Sequence, residues 1–154
     1  MEGLVEVVGI GESLPFRDAS FDLVICTQVL NYVSSPPRVI GEIHRVLKPG
    51  GTLYLSTPAI FPSMHDHRWS FTPEGLRVLL TDFSAVEIVP EGGSIAGLFR
   101  TVNVFFETFV RSDRARQVLR KAIYPVTNTV AHWLDRFSRG RTHFTANYSC
   151  RARK

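Results

Sequence analysis

Valines alternate with polar residues from Leu4 to Ile10 and the stretch ends in Gly9-Ile10-Gly11, a pattern that predicts a short strand entering a turn. Leu14-Pro15-Phe16 and Asp18-Ala19-Ser20 then read as a loop. Phe21 to Cys26 is nearly continuous in apolar side chains, the composition of a strand covered on both faces and central in a parallel sheet. Behind Ser35-Pro36, a serine N-cap with proline at the first helical position, Val39, Ile40, Ile43 and Leu47 recur at helical spacing. Gly50-Gly51 after Lys48-Pro49 is expected to close that helix in a left-handed conformation, and Thr52 to Thr57 forms the next strand. Strand, helix and strand in this order predict a right-handed parallel crossover.

The cycle repeats once. Thr72-Pro73 opens a helix that buries Leu76, Leu79 and Leu80, and Val86 to Val89 is a further strand. From Ser94 the pattern turns helical: one stretch carries Leu98, Val102, Phe105, Phe106 and Phe109, and the other runs from Val118 to Phe137 with a break at Pro125. Residues 94–139 therefore read as a helical insertion ahead of a last strand, His143 to Cys150. The fold class predicted is α/β, as a single domain over residues 1–154.

Composition is that of a folded domain, with 44% hydrophobic and 21% charged residues. The formal charge of +4 is uneven, because Arg111, Arg114, Arg116, Arg120, Lys121, Arg136, Arg139, Arg141, Arg151, Arg153 and Lys154 load the second half. A solvated helical face accounts for this; attraction to anionic headgroups, phosphorylated substrates or nucleic acid is the sharper reading. With no recognisable nucleic-acid module, no nucleic-acid partner is expected. Cys26 and Cys150 lie far apart without metal-ligand spacing, so a reducing, cytoplasmic setting is expected. No segment has transmembrane length, and no leader pattern opens the sequence.

Three runs in order carry a resemblance: Gly11-Glu12-Ser13-Leu14-Pro15-Phe16, Ser20-Phe21-Asp22-Leu23-Val24, and Glu42-Ile43-His44-Arg45-Val46-Leu47-Lys48-Pro49-Gly50-Gly51. Together they are similar to the consecutive motifs of class I S-adenosylmethionine-dependent methyltransferases of the ubiquinone- and menaquinone-biosynthesis type. The resemblance implies a partial Rossmann-like methyltransferase sheet, S-adenosyl-L-methionine as cofactor and a small or lipid-like methyl acceptor. Ligands of such sheets sit outside the C-terminal strand ends. By resemblance, Glu12, Ser13 and Leu14 contact the adenine, while Thr27, Gln28 and Val29 line the ribose and methionine portion. Asp22 resembles a recurring acid of structural role. The family often carries a histidine where Asn31 or Tyr32 stands here.

The run Met64-His65-Asp66-His67-Arg68-Trp69-Ser70-Phe71-Thr72 resembles a loop on the substrate side of the crevice. His65 or His67 is a candidate general base, since imidazole titrates nearest neutrality; the alternative is that both bond to backbone in an ordered loop. No metal site is predicted, because no second cluster completes the His-x-His ligands. In-line methyl transfer asks mainly for alignment, so the absence of a triad does not count against it.

A complete family member has a Gly-x-Gly strand–turn–helix and a second strand with a ribose-binding acid ahead of these motifs, and the resemblance finds neither. The chain is thus expected to be the C-terminal part of such a domain, with Val5 to Gly9 weakly held and cofactor bound weakly or not at all. A truncated sequence, a second chain supplying the missing half, and a scaffold module that has lost activity are the three readings. Phe99, Phe105, Phe106 and Phe109 suit core burial, a lid over an apolar acceptor, or peripheral membrane contact.

Overall fold

The structure is a computed structural model and describes residues 7–59, 67–136 and 145–154. Its elements are β1 (Phe21–Thr27), α1 (Pro36–Val46), β2 (Leu47–Pro58), α2 (Pro73–Leu79), β3 (Ser84–Glu91), α3 (Ser94–Phe109), α4 (Asp113–Val118), a π-helical turn (Leu119–Ile123), α5 (Tyr124–Asp135) and β4 (Asn147–Arg153). The sheet order is β1-β2-β4-β3. β1 and β2 pair in parallel, and β4 inserts antiparallel between β2 and β3.

The core lies on one face of this sheet. Val24 and Cys26 of β1, Leu53 and Leu55 of β2, and Tyr148, Cys150 and Ala152 of β4 pack there with Val39, Ile40 and Ile43 of α1 and Leu76 of α2. Each fully buried leucine contributes about 1.5–3 kcal/mol. Cys26 and Cys150 pair with Leu55 from opposite sides, so a whole strand separates them; both are free thiols that burial pushes up to about 11.

The opposite face is largely bare. Leu23 and Ile25 alternate with the core residues and are 47% and 65% exposed. β1 therefore corrects the central, doubly covered strand expected from its composition: among the described residues it is an edge strand covered on one side. Residues 7–9 form no strand, and Ile10 makes only an isolated bridge to Ser13; Leu4 to Glu6 lie outside the described residues. Val8 is 89% exposed, as expected of a segment without a sheet neighbour.

Helix α1 ends at Val46, earlier than the glycine pair, and Leu47 already enters β2. Gly50, at φ +78, instead turns an irregularity within β2, where Gly50 N donates to Lys154 O and Lys154 N to Gly51 O, both at 2.9 Å. A Cβ on Gly51 would lie 2.9 Å from the Lys48 carbonyl oxygen, so the pair serves strand geometry and not helix termination. Thr72 does cap α2, its hydroxyl accepting from Gly75 N at 3.1 Å.

The helical insertion follows β3 as expected. The break expected at Pro125 is not seen: α4 continues through the π-helical turn into α5, and the widened turn directly ahead of Pro125 accommodates a residue that has no N–H to give. Asp135 at the end of α5 accepts from Ile95 N and Ala96 N at 2.9 and 3.0 Å, satisfying the otherwise open start of α3. The last strand begins at Asn147, later than the sequence pattern suggested and running on to Arg153.

Candidate functional site

The C-terminal ends of β1, β2 and β3 form one rim, at which the loop after β1 turns. Thr27 ends the strand and Gln28 takes a left-handed φ of +56. Gln28 holds that turn by donating its backbone N–H to Ser56 O at 2.8 Å and its amide to Ser56 Oγ at 3.1 Å. Val29 is exposed at the rim, while Leu30 and Asn31 behind it are almost fully buried. Asn31 Oδ1 and Thr57 Oγ1, both buried near this rim, have no hydrogen-bond partner among the described residues. Buried polar atoms without a partner are rare.

The Glu12 loop leans on the same feature. Glu12 Oε1 accepts from Ser34 N and Ser35 N at 2.8 and 3.4 Å, and the Ser34 amide above all holds its carboxyl below the usual range. Glu12 thus holds the chain just ahead of α1, while the Ser35 side chain makes no capping bond of the kind the sequence pattern suggested. Ser13 N donates to Ile10 O, and Leu14 N donates to Glu42 Oε2 at 2.8 Å. Arg45 clamps the other side of this loop: it bonds Leu14 O, Phe16 O, Asp18 and Glu42 at 2.6–3.0 Å. The Arg45 hydrogen bonds, seconded by the Leu14 amide, lower Glu42 to about 2. The Glu-x-x-Arg spacing of the third motif therefore fixes the position of the first.

His67 reaches the rim from the segment after β2. Its Nε2 lies 2.8 Å from Tyr32 Oη, and the two rings meet edge to face at 4.7 Å. Arg68 N and Trp69 N both donate to Asn31 O, Trp69 Nε1 donates to Val33 O at 2.9 Å, and Arg68 bonds Ser34 Oγ at 2.9 Å. The two segments are thus laced together, and among the described residues His67 bonds a side chain. His65 lies outside the described residues. Tyr32 stood in the sequence only as a place where the family often carries a histidine, and Arg68 and Trp69 only as part of the loop run; none of the three was a candidate site residue, although the aromatic–arginine–aromatic crowding around His67 was a signal. Asp22, by contrast, pairs with Lys48 at 2.8 Å in full exposure, a structural contact away from the rim.

Further along the rim, a cavity of about 670 Å3 opens between the insertion and the ends of β3 and β4. Its lining mixes the polar side chains of Glu91, Arg100, Asn103, Tyr124, Asn128 and His132 with the apolar surface of Ala96, Gly97, Val104 and Ala146. Asn103 donates to Thr127 Oγ1 at 2.9 Å, Tyr124 donates to Asn103 O at 2.7 Å, and Arg120 grips the buried Glu107 carboxylate at 2.8 and 3.0 Å. Burial first, and then Glu107, push the Tyr124 phenol up to about 12. The phenylalanines expected in a core or lid are not here: Phe105, Phe106 and Phe109 are 55%, 55% and 68% exposed.

A parallel α/β sheet with its polar rim at the C-terminal strand ends, closed by an antiparallel last strand, is the Rossmann-like fold of class I methyltransferases. Residues 2–55 match the family model described as a methyltransferase domain. The rat thiol S-methyltransferase TMT1B is 49% identical over 49 residues, which is 31% of this chain and 20% of that protein. The chain thus spans about one fifth of the length of this curated relative. Among solved structures, an S-adenosylmethionine-dependent methyltransferase from Thermotoga maritima superposes with a TM-score of 0.58 at 17% identity, covering 95% of this chain and 62% of that one. Phosphoethanolamine N-methyltransferase 2 of Haemonchus contortus, solved with S-adenosylhomocysteine, gives 0.55 at 13% identity, covering 95% and 36%. These comparisons bear out the methyltransferase resemblance over residues 2–55 and the fold over the rest, and the cofactor that the resemblance implies is S-adenosylmethionine.

The residues present suit that cofactor in part. Thr27, Gln28 and Val29 present an exposed rim beside the unpartnered Asn31 and Thr57 oxygens, and Glu12 keeps its second carboxylate oxygen uncommitted to the Ser34 and Ser35 amides. The Leu14 amide is already committed to Glu42.

Proposed function

We propose that this protein works in S-adenosylmethionine-dependent methyl transfer to a small or lipid-like acceptor whose reacting heteroatom carries a proton. The observation that carries the reading is the His67–Tyr32 pair, seated at the rim where the methyltransferase-type motifs converge. The bound cofactor supplies a sulfonium methyl and its own leaving group, so the chain needs chiefly to position the acceptor. Glu12, Ser13, Thr27, Gln28 and Val29 are the residues that would hold it.

The remaining work is proton handling. In the tautomer whose Nε2–H donates to Tyr32 Oη, His67 presents the Nδ1 lone pair, which takes the acceptor's proton as general base. Tyr32 fixes the ring orientation, and the Trp69 and Arg68 bonds to the loop after β1 hold the base against the cofactor rim. The open edge of β1 and the bare sheet face beside it are where further methyltransferase elements, from a longer chain or a partner chain, would pack.

Isothermal titration of S-adenosylhomocysteine into this chain, and into the full natural product of its gene, tests the reading. Saturable binding in either supports it. Absence of saturable heat in both overturns it in favour of a scaffold that has kept only the sheet.

A further inference from the structure

We propose that the helical insertion docks the protein onto an anionic membrane surface through the outer side of α3. Leu98, Val102, Phe105, Phe106 and Phe109 recur at helical spacing and are 39% to 68% exposed, with Phe105 and Phe109 in edge contact at 4.9 Å. The side of α3 that meets α5 is instead polar, with Asn103 and Glu107 buried and hydrogen-bonded to Thr127 and Arg120. On α3 the large apolar side chains thus lie outside while Asn103 and Glu107 lie inside, the inverse of a helix packed on a water-soluble core. Trp133 on α5, with an apolar body and a polar N–H, is 54% exposed.

Charge selects the occupant. Seven Arg and Lys residues against three Asp and Glu lie between Ser94 and Arg136, so this segment carries the whole of the chain's formal +4. Arg111 and Arg114 follow directly on Phe109, and Arg116 Nε donates to Val110 O at 2.8 Å, holding that basic turn against the end of the apolar stripe. A second copy would bring the same positive charge against itself, whereas an anionic headgroup layer is complementary to it. At 16 residues α3 is about 24 Å long, and among the described residues no helix is long and apolar enough to cross a membrane. The stripe therefore lies in the interface plane. This inference does not depend on methyl transfer.

Flotation of the full chain with vesicles of phosphatidylcholine alone, or mixed with phosphatidylglycerol, tests it. The chain is expected to float with the anionic vesicles and to be released by added salt. Replacing Phe105, Phe106 and Phe109 together by serine abolishes flotation, with circular dichroism confirming that the exposed changes leave the fold intact. Arg111→Gln with Arg114→Gln lowers the partition on the order of thirtyfold, and decides the matter should the triple variant fail to fold. Three results overturn the proposal: no flotation with either vesicle, equal flotation with both, or a lipid-free dimer that the triple variant disperses, which would assign the stripe to a second copy.

Discussion

Glu42 and Arg45 show what a motif residue does when its contacts are known. Neither faces a ligand; together they hold the 14–18 loop against α1, which leaves Glu12 at the start of that helix. Because Glu42 is lowered from about 4.5 to about 2, its ionised form is favoured in the folded state. Its contribution is therefore complete above the ordinary carboxylate value and is lost as pH falls towards 2. Thermal unfolding followed between those limits should show a melting temperature that drops with acid, and Glu42→Gln should flatten part of that slope. At the rim, His67→Ala is expected to lower kcat/KM for methyl transfer by about a hundredfold or more, the scale of a lost general base. Tyr32→Phe should lower it less and shift the pH profile, which a purely packing role for Tyr32 would not do. His67 was legible in the sequence as a candidate, but Tyr32 was not, because the pair spans 35 residues of sequence and only folding brings the rings together.

Local chemistry predicted elements well where one residue decides the outcome. The Thr72 hydroxyl satisfies an amide that α2 would otherwise leave open, and Thr72→Ala should cost about 1 kcal/mol in denaturant unfolding. Element boundaries failed where a distant strand intervened. Gly50-Gly51 looked like a helix stop, yet pairing with β1 and with Lys154 draws β2 back to Leu47 and turns the glycines into an irregularity within it. In the insertion, the apolar spacing on α3 announced a helix correctly but not the direction its phenylalanines point. That depends on α5 offering Thr127, Asn128 and Tyr124 instead of an apolar seam.

Among the described residues the molecule has one well-packed layer and one bare sheet face. Leu55, 2% exposed, should cost about 2–5 kcal/mol on replacement by alanine, while Ile25→Thr on the bare face should cost under about 1 kcal/mol in this chain. Equal losses by chemical denaturation would mean that both faces are covered.

What the sequence determined by itself is whatever rests on period and local bonding: the α/β class, the strand–helix–strand order, the capped α2, the helical insertion and the candidate rim residues. Tertiary structure alone decided that among the described residues β1 is an edge, that β4 enters between β2 and β3, that the Leu14 amide is spent on an internal hydrogen bond while Glu12 commits one carboxylate oxygen, and that the insertion turns its apolar side outward. The reason is physical. A side chain's spacing fixes which of its neighbours share its face, but the identity of what lies across that face depends on segments far away in the chain, and no local pattern encodes them.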